Sequence, residues 1–340
     1  MPEMTESSLL CSDTAQVPVS DLNPIQTRNL DLWITSAWLK TNGYGDIASR
    51  MENCGTSFAH LKCSQGHDKY VRLHCKQDFC PKCGQKWSGP HKRRATRAMD
   101  RLIWGNVVGY MIYTLPEEVS AQRPDKTALS YLSKKAWEIT KSNFDTDGAM
   151  VRTHLMGEES AKLHIHFNVL FPLRSSKGLG KVPQEVLNKV RQEWGDVING
   201  FFELNHKQMN SYYNFVWEFG KKIHKVKYVM RAIVTTRKFV GLSSEDKHYV
   251  LSLKGWHNTR WFGKLANSQY KKYLKAQGIK HIPYSEKDVG LSHHCPICKT
   301  KFKFVDIVHE QNLPRLELRM TDKDTFIDLA MHSFLNPGDG

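Results

Sequence analysis

A cluster of cysteines and histidines between residues 54 and 83 has the spacing of metal ligands. Cys80 and Cys83 are separated by two residues, which lets both thiolates reach one zinc ion at ~2.3 Å. Clustered cysteines in a reducing compartment indicate metal rather than disulfides, so we expect at least one structural Zn²⁺ here. The further candidate ligands are Cys54, His60, Cys63, His67, His74 and Cys75. Two tetrahedral sets fit equally well: Cys63 and His67 with Cys80 and Cys83, or Cys54 and Cys75 with the same pair.

A second pair with the same gap, Cys295 and Cys298, lies near the end of the sequence. Two cysteines alone do not complete a zinc site, so metal binding there stays open. The nearby side chains that would complete it are His293, His294 and His309. The eighth cysteine, Cys11, stands apart from the other seven in the sequence.

His164 and His166 alternate along a segment that the pattern predicts to be a β-strand. Residues i and i+2 of a strand point to the same face, so both imidazoles project together. Two histidines supply part of a divalent-cation site, and a neighbouring element must complete it. His154 on the preceding predicted strand is the first candidate, with Glu158 or Glu159 behind it. The hairpin register decides among them.

Tyr228 and Arg231 are three residues apart in a predicted helix, a spacing that puts both on one face. There the guanidinium group can stabilise a phenolate or a phosphate bonded to it. The competing tyrosines are Tyr212, Tyr213 and Tyr249.

The elements that must position these residues alternate between helices and strands. Within 24–51 the apolar pattern predicts a helix that ends near Asn42-Gly43. Further helices are predicted over 86–101, 126–144, 183–202 and 224–234. The patterns predict strands over 107–115, 150–156, 163–171 and 213–219. This order predicts an α+β fold, in which helices cover an antiparallel sheet.

The charge of the chain indicates a polyanionic partner. Its 49 Lys and Arg against 34 Asp and Glu leave a formal net charge of +15, which favours nucleic acid over a membrane surface. No apolar run reaches the ~20 residues that span a bilayer, and the N-terminus lacks the pattern of a signal peptide, so we expect a cytoplasmic protein. The candidate DNA-binding side chains are Arg93, Arg97, Arg101, Trp256, Arg260 and Trp261.

The order of these motifs resembles that of the HUH endonucleases. The segments that carry the resemblance are Cys75–Cys83, Tyr113–Pro116, Thr153–Gly157, His164–Leu170 and Lys227–Arg231. They are most similar to rolling-circle plasmid replication initiators (Rep proteins) and to the zinc-bearing transposases of rolling-circle insertion sequences. Cys295–Cys298 resembles a C-terminal knuckle of the transposases.

The resemblance implies an HUH-type antiparallel sheet with flanking helices, preceded by a small zinc-binding module. It implies that His164 and His166 hold Mg²⁺ or Mn²⁺, with the third ligand left open, and that Tyr228 attacks single-stranded DNA to give a 5′-phosphotyrosine. The initiators often have Lys where Arg231 stands. The two-tyrosine transposases have a second Tyr at the position of His224, so a single-tyrosine mechanism is favoured.

The expected function is therefore site-specific nicking and joining that initiates rolling-circle replication of a plasmid or virus. The expected partners are single-stranded DNA at an origin or element end and a host helicase and polymerase, because the chain has no Walker-type loop. An insertion-sequence transposase would use the same chemistry. A zinc-ribbon DNA-binding protein without catalysis is the alternative of another class, and a zinc hydrolase is disfavoured because no His-Glu-x-x-His helix is present.

The domain limits follow from the same patterns. We expect a flexible tail at 1–24, then the N-terminal helix, zinc module and basic helix at 25–104. The endonuclease domain would span 105–240, a basic region with the cysteine pair 241–319, and a second tail 320–340.

Overall fold

Two antiparallel sheets and a set of α-helices form the part of the chain that the computed structural model describes. That part comprises residues 24–84, 89–102, 107–157, 162–173, 182–205, 211–216, 219–266, 269–270, 272, 295 and 297–312. The helices are α1 (Pro24–Thr41), α2 (Gly45–Glu52), α3 (Gly89–Leu102), α4 (Glu117–Ala121), α5 (Lys126–Asn143), α6 (Gln184–Phe202), α7 (Phe219–Val229), α8 (Thr236–Gly241) and α9 (Ser244–Ser252). The strands are β1 (Ser57–Cys63), β2 (Asp68–Arg72), β3 (Val107–Thr114), β4 (Gly148–His154), β5 (His166–Leu173), β6 (Ser211–Val216), β7 (Thr259–Gly263) and β8 (Phe302–His309). The fold is mixed α+β, as the sequence predicts.

The larger sheet has five strands in the order β6-β3-β5-β4-β7, and every neighbouring pair is antiparallel. Its central strand, β5, begins at His166. The register places His154 of β4 directly opposite His166, and Thr114 of β3 opposite His166 on the other side. The carbonyl of Thr114 accepts a hydrogen bond from Nε1 of the buried Trp194 in α6, at 3.0 Å. This bond fixes the end of β3 beside the histidines.

Helices cover both faces of this sheet, and the alternation along β4 and β5 decides which residues each face receives. Val151, Phe167 and Val169 join the main core, to which α5 and α6 contribute. Met150 and Leu170 face the opposite way and pack against apolar residues of α3 and α7. Arg152, His154 and His166 share the alternation of this second face, which brings them under α3 and α7.

The smaller sheet has the order β2-β1-β8, again antiparallel. β1 and β2 form a hairpin, and β8 comes from the far end of the described chain to pair along the whole of β1. Its register sets Cys63 opposite Phe302. The pairing therefore brings the segment just before β8, which carries Cys295 and Cys298, to the end of β1.

Most predicted elements are confirmed, with shifted ends. The helices at 126–144 and 183–202 and the strand at 107–115 lie within a residue or two of their predicted limits. Helix α1 ends just before Asn42-Gly43, as predicted. Gly43 has φ +83°, a conformation that favours glycine. The helix that carries Tyr228 begins at Phe219 rather than at residue 224.

The larger sheet extends past the predicted domain limit at residue 240, because Thr259–Gly263 forms β7, an edge strand that pairs with β4. The predicted tails at 1–24 and 320–340 lie outside the described residues, apart from Pro24. Cys11 lies outside them too.

Candidate metal centres and catalytic site

Four buried cysteines converge between the end of α2 and the loop after β2. The sulfur atoms of Cys54, Cys75, Cys80 and Cys83 all lie within 4.8 Å of one another. Sγ of Cys83 is 3.3 Å from that of Cys54 and 3.7 Å from that of Cys75. Four sulfurs at ~2.3 Å from a central zinc lie ~3.8 Å apart, whereas a disulfide needs ~2.0 Å. The group can hold a metal ion, and its donors and spacing suit zinc.

Local backbone turns present these four sulfurs to one point. The amide of Lys82 donates to Sγ of Cys80 at 3.4 Å, and the amide of Gly84 donates to the carbonyl of Cys80 at 2.8 Å. A side chain at Gly84 would place its Cβ 1.8 Å from the carbonyl oxygen of Asp78, so only glycine lets the loop close. Hydrogen bonds among the thiols, with Cys75 first, lower the pKa of Cys54, and the same contacts raise the pKa of Cys75 and Cys83.

A second group joins the two ends of the smaller sheet. Cys63, His67, Cys295 and Cys298 offer ligand atoms that all lie within 4.8 Å of one another. Nδ1 of His67 is 3.4 Å from Sγ of Cys63 and 3.5 Å from Sγ of Cys295, and the sulfurs of Cys63 and Cys298 are 3.5 Å apart. A tetrahedral zinc would separate such a nitrogen and sulfur by ~3.6 Å. This group also can hold a metal ion.

The structure thus separates the candidate ligands into two sets. It forms the set of Cys54 and Cys75 with Cys80 and Cys83, and it does not form the alternative that joins Cys63 and His67 to that pair. The C-terminal pair instead takes Cys63 and His67 as partners. Of the three histidines considered for that pair, His293 and His294 lie outside the described residues, and Nδ1 of His309 lies 3.4 Å from the hydroxyl of Ser57. His60 bonds to Asp68 and Asp306 instead of a metal group.

The three histidines of the predicted catalytic site lie together at one end of the larger sheet. The ring centroids of His154 and His166 are 5.3 Å apart, and those of His164 and His166 are 5.7 Å apart. His164 comes just before β5, and its amide donates to the carbonyl of Leu155 at 2.8 Å, which continues the pairing with β4. Glu158 and Glu159 lie outside the described residues.

Hydrogen bonds to backbone carbonyls fix the tautomers of two of these rings. Nε2 of His154 lies 2.8 Å from the carbonyl oxygen of Val229, and Nδ1 of His166 lies 2.9 Å from that of His164. Because a carbonyl only accepts, each of these nitrogens carries the proton. The opposite nitrogens, Nδ1 of His154 and Nε2 of His166, therefore hold a lone pair. Metal-ligating histidines have this arrangement, with the other ring N–H donated to a carbonyl or carboxylate.

Both imidazole rings are neutral because they are buried, but their lone-pair nitrogens do not form a closed metal site. Burial lowers the pKa of His166 to about 4 and that of His154 well below its usual value. Nδ1 of His154 is buried and has no hydrogen-bond partner among the described residues. The two cysteine-containing groups are the only ones in the described ranges whose ligand atoms all lie within 4.8 Å of one another. The ligand nitrogens of His154, His164 and His166 therefore do not all lie within 4.8 Å of one another.

Tyr228 lies at the end of α7, next to this histidine group. It precedes Val229, whose carbonyl oxygen accepts the hydrogen bond from His154. The guanidinium of Arg231 lies 4.3 Å from the centroid of the Tyr228 ring, and Nζ of Lys225 lies 5.6 Å from it. Nε2 of His91 in α3 donates to the carbonyl of Lys227 at 2.7 Å. Two histidines thus hold the last turn of α7 by its backbone.

Of the competing tyrosines, Tyr249 is poorly placed to attack a phosphate. Tyr249 is buried, its hydroxyl donates to the carbonyl of Pro124 at 2.8 Å, and burial raises its pKa. Tyr212 and Tyr213 lie on β6, opposite Ile112 and Met111 of β3, and their side chains are outside the described part of the structure.

Arg152 connects the histidine group to the first cysteine group, a role that its sequence context does not reveal. Its side chain is 1% exposed. It donates to the side chains of Asn258 and Thr259 and, at 2.7 Å, to the carbonyl of Arg231. The remaining charge is met by Asp78 in the cysteine loop, whose carboxylate lies 3.6 Å from Nη2 of Arg152.

Asp78 also holds two other elements. It accepts from Nη1 of Arg94 in α3 at 3.2 Å and from the amide of Ile233 after α7 at 3.3 Å. The neighbouring Phe79 stacks on Phe239 of α8 with centroids 4.3 Å apart. The loop that carries Cys75, Cys80 and Cys83 is therefore anchored to the elements that carry the histidines and Tyr228.

The predicted DNA-binding residues with described side chains form two separate pairs, one beside α3 and one beside α5. Arg101 lies over the ring of Trp261 at 4.5 Å, so the two form one cation–π pair on the side of α3. Trp256 and Arg260 both donate to the hydroxyl of Ser130 in α5, at 3.1 Å and 2.6 Å. Arg93 and Arg97 lie on α3, but their side chains are outside the described part of the structure.

Comparison with known proteins gave no match to a family model, a curated protein or a solved structure. Within the described residues, no helix combines the length and the apolarity that crossing a bilayer requires.

Proposed function

We propose that this protein is an HUH-type endonuclease and strand transferase, which nicks and joins single-stranded DNA through Tyr228. The observation that carries the proposal is the hydrogen bond from His154 to the carbonyl of Val229. That bond joins the tyrosine helix to a histidine pair whose free nitrogens hold lone pairs in the tautomers of metal ligands. The order of motifs along the sequence supports the same assignment.

The residues divide the chemistry between them. His154, His164 and His166 would hold Mg²⁺ or Mn²⁺, which when bound withdraws electron density from the scissile phosphate. The phenolic oxygen of Tyr228 attacks phosphorus, the bond to the 3′-oxygen breaks, and the proton lost by Tyr228 ends on that oxygen. Arg231 and Lys225 stabilise the negative charge at the attacked phosphate. The 5′-phosphotyrosine keeps the energy of the phosphodiester, so a later strand end can reverse the step without ATP.

Within this chemistry we favour a replication initiator, and a rolling-circle transposase is the alternative. In either role the free 3′-hydroxyl primes synthesis by a host polymerase, with a host helicase to separate the strands. The two cysteine groups, each with zinc, would give the structural part of the enzyme.

The test uses single strands tiled across the DNA that flanks the gene, each with one dye at its 5′ end and another at its 3′ end. With Mn²⁺, the 3′ dye should move with the protein on a denaturing gel, while the 5′ dye is released. Tyr228→Phe should lose this adduct and keep DNA binding. Tyr131→Phe, which removes the hydroxyl of an exposed tyrosine of α5, should keep both. An adduct that persists in Tyr228→Phe, or none from any strand, contradicts the proposal.

A zinc-ribbon DNA-binding protein without catalysis is the second candidate. One observation favours it, since both cysteine groups are closed four-ligand sets, whereas the histidines are not. It predicts that the single strands bind without any adduct and that Tyr228→Phe behaves as the unaltered chain.

A further inference from the structure

A cavity of about 290 Å³ lies between the first cysteine group and the larger sheet. Residues 76–79 of the cysteine loop form one wall, and residues 253–256 with Asn258 form another. Ligand pockets range over about 300–1,000 Å³, so this cavity is of a size for one small group rather than for a length of polymer. Among the described residues no histidine is in its lining, but Arg152 is, and His154 follows two residues later on β4.

The lining of the cavity carries an excess of positive charge. It includes Lys76, Arg94, Arg152 and Lys254 but, among acidic side chains of the described residues, only Asp78. Four cationic side chains against one carboxylate favour an anionic ligand.

The rest of the lining is apolar and partly aromatic. Ile233, Val250 and Leu253 contribute aliphatic surface, and Trp256 contributes a half-buried indole. Nε1 of Trp256 donates to Ser130, which fixes the plane of the ring. Stacking on an aromatic side chain is a common way to hold an unpaired base. An inorganic anion would use only the cationic side chains and would leave this surface uncovered.

We propose that this cavity binds one nucleotide of the single-stranded substrate, with its phosphate at the cationic side chains of the lining, Lys254 among them, and its base against Trp256. This inference rests on the proposed function for the identity of the strand. Arg152, which lines the cavity, also donates to the carbonyl of Arg231, three residues after Tyr228. The cavity therefore lies against the segment that follows the tyrosine helix, and the bound nucleotide belongs to the strand that Tyr228 cuts.

The experiment measures binding of a deoxynucleoside 5′-monophosphate, its nucleoside and inorganic phosphate to the full zinc-loaded chain by ligand-observed NMR. The background is Tyr228→Phe, so that no cleavage occurs. We expect the monophosphate to bind at least about tenfold tighter than either fragment, because stacking and the phosphate contacts add. Lys254→Gln and Trp256→Leu should each weaken it by about tenfold. Lys303→Gln, which removes an exposed charge from the smaller sheet, should leave it unchanged.

Each outcome decides the inference. If phosphate binds as tightly as the monophosphate, the cavity is only an anion site and the nucleotide assignment is overturned. The assignment is also overturned if the monophosphate binds all variants equally, or if it shows no saturable binding. Thermal melts show whether Lys254→Gln and Trp256→Leu are folded. Because Lys254 is exposed, Lys254→Gln should fold, and the assay remains decisive even if Trp256→Leu does not. The covalent adduct is scored separately. Monophosphate binding without an adduct overturns the nickase alone, and an adduct without monophosphate binding overturns the cavity alone.

Discussion

Removal of the charge at Asp78 should destabilise the protein, because it leaves the buried Arg152 without a counter-ion. At 3.6 Å, the attraction between one carboxylate and one guanidinium is about 5 kcal/mol with an effective dielectric constant of 20. Asp78 also pairs with Arg94 and is partly exposed to water. Both facts reduce the expected loss of stability below this figure. Breaking a buried pair by loss of one partner costs about 3–5 kcal/mol, and we take the lower end. Asp78→Asn keeps the size of the side chain and an acceptor for the amide of Ile233, so the change isolates the charge.

The assay is urea unfolding of zinc-saturated protein, with Asp306→Asn as the matched control. Asp306 is an exposed partner of His60 in the smaller sheet, and its loss should change stability by less than ~1 kcal/mol. For Asp78→Asn, a loss of about 3 kcal/mol lowers the urea midpoint by roughly 1 M if the slope is about 3 kcal/mol/M. An equal midpoint for the two variants would refute the reasoning.

Two further predictions concern the metal groups. The purified chain should contain two zinc ions, and Cys80→Ser and Cys298→Ser should each remove one, as measured by elemental analysis; a content of one or none in the unaltered chain refutes the second or both sites. Gly84→Ala should lose the first zinc and much of the stability, because the added Cβ would meet the carbonyl of Asp78 at 1.8 Å, whereas Gly45→Ala in α2 meets nothing within 4 Å and should be neutral. Equal zinc contents in these two variants would show that the loop accommodates a side chain at residue 84.

The fold was predictable where local pattern and topology agree. The β-branched and aromatic run at 107–115, closed by Pro116, becomes β3 because it is buried on both faces. β7 was not predictable, since Thr259–Gly263 is a short edge strand whose side chains are half-buried. Only its pairing with β4, more than one hundred residues earlier, defines it as a strand.

The site was predictable to the extent that its residues are neighbours in sequence. Adjacent spacing identified Cys80 with Cys83, and alternation identified His164 with His166. The second metal group has its halves 228 residues apart, from His67 to Cys295. They meet only because β8 pairs with β1, which no local pattern specifies. The role of Arg152 was not predictable either, because an arginine in a strand is ordinarily assigned to the surface.

The charges around the histidines bear on how a catalytic cation would be held. Burial lowers the pKa of His166, and the charges of Arg231 and Lys238 lower it further. Lys238 also donates to the carbonyl of Gly157, three residues after His154. Neutral imidazoles surrounded by fixed positive charge attract a divalent cation weakly, because each added charge repels it. A phosphate reverses that balance, since it pairs with the arginine and lysine and offers oxygen ligands to the cation. The proposed site therefore favours metal and DNA together over metal alone, which agrees with histidines that lie side by side yet do not close a coordination sphere.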